Sequence, residues 1–242
     1  MRRPLPLFLA LLLTMTATAG LAEDASAVNP YAKNYTSRMP APKAATPEPV
    51  KVFRGQDKVE DYQTLLEDGY DLLGYSSFEA ADVPPEKLME QGERVNADVA
   101  LVYTTRSGET PASVKLDRAK AKLKGEEAAA EDAKSANNKF YNYFASFWTK
   151  LPRPLLGVHV KQDQDEGLPE KGLEVIAVIK GSPAAAAGLQ KGDTLLKLGE
   201  VELSKPELLP QAAQRYAGQP AEIVFSRIGQ EQRQTVTLNS RQ

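Results

Sequence analysis

The sequence predicts a protein of mixed α+β and α/β class. We expect a small N-terminal βαβ unit, followed by a C-terminal β-sandwich or barrel that carries two helices. Between residues 50 and 112, segments with helical spacing alternate with apolar strand-like segments, which is typical of βαβ connections. Between residues 151 and 240, short β-rich segments are separated by Gly and Pro turns. The length of 242 residues suits about one or two domains.

Changes in composition divide the chain into six predicted segments. These are a signal peptide (1–22), a flexible Pro/Ala-rich linker (23–49), the small α/β domain (50–112), a charged Ala/Lys/Glu-rich insertion (113–138), an aromatic strand or helix that completes the α/β unit or its junction (139–150), and the C-terminal domain (151–240). Proline restricts the backbone and removes a hydrogen-bond donor, which is why the Pro-rich segment is interpreted as an extended linker.

The N-terminus is typical of an export signal. Arg2 and Arg3 precede the short apolar run Leu5–Leu13, and small residues lead up to Ala22. The run is shorter than the ~20 apolar residues of a membrane span. We therefore expect cleavage after Ala22, a periplasmic or secreted protein and no stable membrane span. An uncleaved anchor is the alternative.

Composition excludes several classes of function. The net charge of −2 gives no basic surplus for nucleic acid, and the absence of cysteine excludes disulfides and thiolate ligands. The only histidine is His159, so a multi-histidine metal site is also excluded. We expect no cofactor and no metal, and the sequence leaves the oligomeric state open.

Apolar spacing predicts the order of elements in the N-terminal unit. The expected elements are a strand at Lys51–Phe53, a helix over Val59–Asp68, a strand at Tyr70–Phe78, a helix beginning at Pro84–Pro85 and a strand at Asp98–Tyr103. The aromatic stretch Phe140–Trp148 fits strand alternation and helical spacing equally well. Ser76 and Ser77 are candidate nucleophiles at a strand end, although no Gly-x-Ser-x-Gly motif surrounds them.

The C-terminal domain contains an ordered series of turn motifs. The series is Leu155-Leu156-Gly157-Val158, Gly181-Ser182-Pro183-Ala184, Ala187-Gly188-Leu189 and Gly192-Asp193. Together these motifs resemble a PDZ domain of the bacterial type found in HtrA/Deg envelope proteases. The Gly-Asn-Ser-Gly-Gly motif of the associated protease is missing from the chain. The resemblance implies a peptide-docking domain in which a ligand adds a strand beside residues 158–160.

The resemblance also implies the residues of the peptide site. Glycine at 157 would let successive N–H groups approach a terminal carboxylate, and one face of the second helix would form the opposite wall. The expected peptide-binding residues are Leu155, Leu156, Gly157, Val158, His159, Val160, Leu208, Ala212 and Tyr216. The Gly192-Asp193 pair is expected to be structural.

Three hypotheses for the function follow. The first is an exported, non-enzymatic scaffold or adaptor whose groove holds an extended segment, C-terminal or internal, of a peptide or envelope protein. The second is a catalytic or small-ligand α/β unit, motivated by Ser76 and Ser77, to which the C-terminal domain delivers substrate. The third is a structural envelope assembly factor with a vestigial groove, whose two domains pack together and in which the aromatic stretch Phe140–Trp148 fills the groove or the interface.

Overall fold

The computed structural model describes residues 28–40, 49–107, 140–162 and 172–241. They form two sheets, one of five strands in the N-terminal unit and one of six strands in the C-terminal unit. The expected mixed class with helices in both units is confirmed. The proposed signal peptide and the charged insertion lie outside the described residues. None of the described helices is long and apolar enough to span a membrane.

The N-terminal sheet has the order β1-β3-β5-β4-β2. Its elements are α1 (Pro30–Lys33), β1 (Tyr35–Ser37), β2 (Lys51–Arg54), α2 (Lys58–Glu67), β3 (Tyr70–Ala80), α3 (Pro85–Arg94), β4 (Val99–Arg106) and β5 (Tyr141–Lys150). β2 pairs with β4 in parallel, whereas β5 pairs with both β3 and β4 in antiparallel. β2, β3 and β4 therefore run in one direction, as the predicted βαβ connections require.

Local chemistry sets the ends of α2. The Asp57 carboxylate accepts hydrogen bonds from the N–H groups of Val59 at 2.8 Å and Glu60 at 3.0 Å, which caps the first turn. Gly69 follows the helix with φ +78°, a conformation that favours glycine. The helix consequently ends where the sequence predicts, and the chain turns directly into β3.

The aromatic stretch that the sequence left open between strand and helix is the central strand β5. Ala145 and Phe147 are fully buried within it. Trp148 is 1% exposed, and its ring lies edge-on to Tyr62 of α2, with ring centroids 4.7 Å apart. These aromatic side chains therefore fill the core on both faces of the sheet.

The assignment of residues 23–49 to a flexible linker is wrong for residues 28–40. This segment forms α1 and β1, and β1 pairs with β3. Tyr31 is 2% exposed and lies edge-on to Phe78, with ring centroids 4.9 Å apart. The Ser76 hydroxyl donates a hydrogen bond to the Tyr31 carbonyl at 2.7 Å. Tertiary burial of one aromatic residue therefore orders a segment whose composition is typical of a linker.

The C-terminal unit is a six-stranded sheet with two helices. Its elements are β6 (Val158–Gln162), β7 (Leu173–Val178), α4 (Pro183–Ala186), β8 (Thr194–Leu198), β9 (Val201–Glu202), α5 (Leu208–Arg215), β10 (Pro220–Arg227) and β11 (Gln230–Thr237). The strand order is β11-β10-β8-β7-β6, with β9 paired to β8. A core of buried aliphatic side chains and Phe225 joins the sheet to both helices.

The two units meet at the end of α2. The Leu151 N–H donates to the Gly69 carbonyl at 2.9 Å, and the Lys180 N–H donates to the Glu67 carbonyl at 2.8 Å. The Lys180 ammonium also lies 2.8 Å from the Asp68 carboxylate. Backbone hydrogen bonds therefore hold α2 beside the turn that follows β7.

Candidate functional site

The strand β6 lies at the edge of the C-terminal sheet and pairs only with β7 among the described strands. The Gly157 carbonyl accepts from the Ile179 N–H at 2.9 Å. This bond makes the opposing residues Val158 and Val178 a non-hydrogen-bonded pair of the antiparallel ladder. The N–H and C=O of Val158 consequently point away from β7, toward the free edge.

The N–H and C=O of Val160 also point toward the free edge of β6. It lies opposite Val175, beyond a register shift after His159. The Val175 N–H donates to the Asp193 carbonyl at 2.7 Å, and its own carbonyl accepts from the Gly192 N–H at 2.8 Å. Both backbone groups of Val175 thus point away from β6, so those of Val160 face the free edge. β6 therefore offers two alternate residues to an additional strand.

The loop before β6 adds two more donors at the start of this edge. The Leu156 carbonyl accepts from the Ala184 N–H at 2.9 Å, and the Ser182 hydroxyl lies 3.2 Å from the Gly157 carbonyl. In contrast, the N–H groups of Leu156 and Gly157 donate to no other group in the described part of the chain. α4 therefore fixes the loop through its carbonyl groups and leaves these N–H groups available to an anion.

Glycine is required at position 157. Its φ is +91°, and a Cβ built there would lie 2.2 Å from the Ser182 Cβ. Any larger residue would therefore displace α4 as well as strain the loop. A Gly157 substitution consequently perturbs folding together with any ligand site, and it is a poor probe of binding.

A cavity of about 620 Å³ lies along the free edge of β6. All six residues predicted in the loop and strand, Leu155, Leu156, Gly157, Val158, His159 and Val160, line it. The side chains of Val158 and Val160 also pack against the core of the C-terminal unit. The structure therefore brings together the loop and strand part of the predicted site.

The helix face that lines the cavity differs from the predicted face. The cavity is lined by Leu209, Pro210, Ala213 and Gln214 of α5. The predicted Ala212 is 1% exposed and belongs to the core, and Leu208 packs against that core. Tyr216 packs there too, and its hydroxyl accepts from the Glu200 N–H at 3.0 Å. The predicted residues therefore pack against the core without lining the cavity, whereas the wall is formed one position later by Leu209 and Ala213, which also belong to the core.

The N-terminal unit forms a further wall of the same cavity, which the sequence analysis missed. Tyr62 and Leu66 contribute from α2, Asp71 and Leu72 from β3, and Trp148 from β5. No local sequence motif predicts this wall, because it forms only when the two units dock. The groove therefore has α5 on one side and the N-terminal unit on the other.

His159 lies at the boundary between the units. It is half-buried and hydrogen-bonds to the Leu66 backbone, whereas its buried Nε2 finds no partner among the described residues. Burial lowers the pKa of His159, and the Asp71 carboxylate and the Leu66 backbone partly oppose that shift. The imidazole is consequently neutral near pH 7.

Asp193 has the structural role that the sequence analysis expected. Its side chain is 1% exposed, and its two carboxylate oxygens accept from Arg227 Nε at 2.7 Å and Nη2 at 2.8 Å. One of these oxygens also accepts from the Gln190 N–H at 2.8 Å. The carboxylate therefore joins the turn before β8 to β10.

The serine pair does not form a catalytic arrangement. Ser76 is fully buried in the middle of β3, where its hydroxyl hydrogen-bonds to the Tyr31 carbonyl. Ser77 is exposed, while His159 lies in the other unit. Across the described ranges, no group of three or more His, Cys, Asp or Glu side chains is arranged to hold a metal ion.

A family model and several solved structures are similar to part of this chain. Residues 149–216 match the family model of the PDZ domain. The HtrA-type protease AlgW with a decapeptide is 28% identical, with 44% of this chain and 38% of that chain covered and a TM-score of 0.34. The HtrA3 PDZ domain bound to a phage-derived ligand is 18% identical, with 36% and 85% covered and a TM-score of 0.32.

A third similar structure is the serine endoprotease from Yersinia pestis. It is 23% identical, with 37% of this chain and 30% of that chain covered and a TM-score of 0.31. The chain thus spans well under half the length of the two proteases. A search of curated proteins finds no match.

The C-terminal unit therefore contains a PDZ domain, matched over residues 149–216. The resemblance to a PDZ domain deduced from the turn motifs is confirmed for this part of the chain.

Proposed function

We propose that this chain is an exported, non-enzymatic scaffold or adaptor that binds peptides or protein C-termini of the cell envelope in its PDZ groove. The ligand adds an antiparallel strand to β6, and its terminal carboxylate lies at the loop formed by Leu156 and Gly157. The observation that carries the proposal is the alignment of available backbone groups along one edge. The outward-facing groups of Val158 and Val160 continue directly from the two N–H groups of the loop.

The lining of the groove supports an apolar residue at the end of the ligand. Leu156, Leu209 and Ala213 line the cavity and belong to the aliphatic core of the PDZ domain. Burial of an apolar terminal side chain among them is favourable at about 25 cal/mol per Å² of apolar surface. Charge-assisted hydrogen bonds to the carboxylate would add specificity for a free chain end.

The alternative of a vestigial groove has less support. In that alternative the aromatic stretch Phe140–Trp148 fills the groove or the interface, whereas Tyr141–Lys150 form β5, pair on both sides and place only Trp148 against the cavity. The catalytic alternative also has less support, because Ser76, one of the two serines that motivated it, is fully buried. Peptide binding is consequently the function that the geometry supports best.

Fluorescence polarisation with labelled peptides tests the proposal. We expect saturable binding of peptides with a free apolar C-terminus to the purified full chain. Amidation of the terminal carboxylate should weaken binding about 10- to 100-fold, because it removes charge-assisted hydrogen bonds. Equal affinity for free and amidated peptides would contradict the assignment of the carboxylate site.

A matched pair of substitutions on α5 locates the ligand. Gln214 and Gln211 are both exposed, but only Gln214 lines the cavity. Gln214→Trp should weaken binding about tenfold or more by steric exclusion, whereas Gln211→Trp should leave it unchanged. If both variants bind like the wild type, the ligand lies elsewhere.

A further inference from the structure

The groove has two walls, and an added strand would present side chains to both of them. Successive side chains of a strand point to opposite faces of the sheet. Val158 and Val160 pack against the PDZ core, while His159 points to the N-terminal unit, where it contacts Leu66. A residue of the ligand opposite His159 would therefore face that unit.

The position of that ligand residue follows from antiparallel pairing. Residues directly opposite each other in an antiparallel pair have their side chains on the same face. A ligand whose last residue pairs with Val158 places its penultimate residue opposite His159. The penultimate side chain then enters the space lined by the N-terminal unit, and the last side chain faces the PDZ core.

The wall on the side of the N-terminal unit combines apolar surface with one carboxylate. Tyr62, Leu66, Leu72 and Trp148 provide the apolar part. Asp71 is half-buried, and one of its oxygens accepts from the Leu72 N–H at 2.9 Å. No ion pair involves Asp71 within the described residues. Asp71 is also the only acid that lines the described cavity, so the wall is complementary to a long side chain with an apolar stem and a cationic end.

We propose that the groove selects ligands with Lys or Arg as the penultimate residue, whose charge pairs with Asp71 while its methylene groups lie against Leu66 and Leu72. The proposal deepens the proposed function, because it requires the same strand addition to β6. The partner is thus a protein chain that ends in a basic residue followed by an apolar residue. The N-terminal unit acts as a specificity element of the PDZ groove.

The test is a peptide series measured by fluorescence polarisation on the full chain. The peptides share an apolar C-terminal valine and carry Arg, Lys, norleucine or Glu as the penultimate residue. Norleucine keeps the stem of Lys and removes its charge. We expect Arg and Lys to bind about three- to fivefold more tightly than norleucine, and Glu to bind most weakly.

The variant Asp71→Asn isolates the carboxylate. Asparagine retains a side-chain oxygen for the Leu72 N–H, so the turn into β3 is preserved. The preference for Arg and Lys should disappear in this variant, while the preference for a free valine terminus remains. Asp82→Asn is the matched control, because Asp82 is an exposed acid beyond the opposite end of β3, and it should keep the wild-type preference.

The outcomes separate this proposal from the one on which it rests. If no peptide binds, the proposed function fails and the inference fails with it. If the peptides bind with equal affinity for Arg, norleucine and Glu, the function stands and the basic specificity is wrong. A preference for Arg that persists in Asp71→Asn would likewise overturn the role of Asp71.

Discussion

The strands β5 and β6 face the same cavity but use their backbones in opposite ways. β5 is central in its sheet and pairs with β3 and β4 over nearly its whole length. β6 pairs with β7 on one side, and Val158 and Val160 turn their remaining groups to the groove. β5 therefore contributes only a side chain, Trp148, to the cavity, whereas β6 contributes backbone hydrogen-bonding groups. A ligand strand can therefore be added to β6, which has a free edge, but not to β5, which is paired on both sides.

Proline substitution should give the largest difference in stability between changes in β5 and changes in β6. Ala145 is fully buried in β5 and pairs with both Ser76 and Val102. Ala145→Pro should destabilise the N-terminal unit by more than about 3 kcal/mol, through a lost ladder bond and a steric clash. Val160→Pro should cost much less, because its N–H faces the free edge, yet it should abolish strand addition. Urea unfolding, followed by the fluorescence of Trp148 and by circular dichroism, measures both effects. A similar loss of stability in the two variants would refute the orientation of Val160.

A second prediction concerns the turn that supports the edge. The Asp193 backbone holds Val175, and its buried carboxylate pairs with Arg227. Asp193→Asn should lower the free energy of unfolding by about 3 kcal/mol, because it leaves a partly buried guanidinium without its anion. Glu200→Gln removes an exposed ion pair with Arg215 and should cost no more than about 1 kcal/mol. Equal effects in chemical denaturation would contradict the structural role of Asp193.

The smallest predicted effect is a pH dependence at His159. Because the folded chain lowers the pKa of His159, the unfolded chain binds a proton first as the pH falls below about 6.5. The stability contribution of the neutral imidazole is therefore complete above that pH and is lost as the pH falls toward the lowered pKa. His159→Gln should flatten the dependence of unfolding free energy on pH below about 6.5. An unchanged slope in the variant would show that His159 does not titrate in this interface.

Much of the fold could be deduced from the sequence because local signals specify it. The helix predicted over Val59–Asp68 is α2, and the turn motifs predicted the PDZ domain with its loop at Gly157. The aromatic stretch stayed ambiguous, since residues buried on both faces of a central strand show neither strand nor helical periodicity clearly.

The errors share one physical cause, which is packing over long sequence separations. Tyr31 orders its segment through contacts with Phe78 and Tyr143, which are far away in the chain. The phase of α5 against the sheet decides that Leu209 and Ala213, rather than Leu208 and Ala212, line the groove. The wall formed by Asp71 and Trp148 exists only once the two units have docked. Neither composition nor spacing encodes such contacts.

The junction at the end of α2 has a consequence for which amino-acid substitutions the protein tolerates there. Two of its bonds, from Leu151 to Gly69 and from Lys180 to Glu67, join main-chain atoms only. Replacement of the side chains at positions 151, 180 and 67 leaves those bonds in place, whereas position 69 is restricted by its positive φ. The junction therefore tolerates side-chain replacement at three of its four positions without loss of these two main-chain bonds, and only position 69 needs a particular residue.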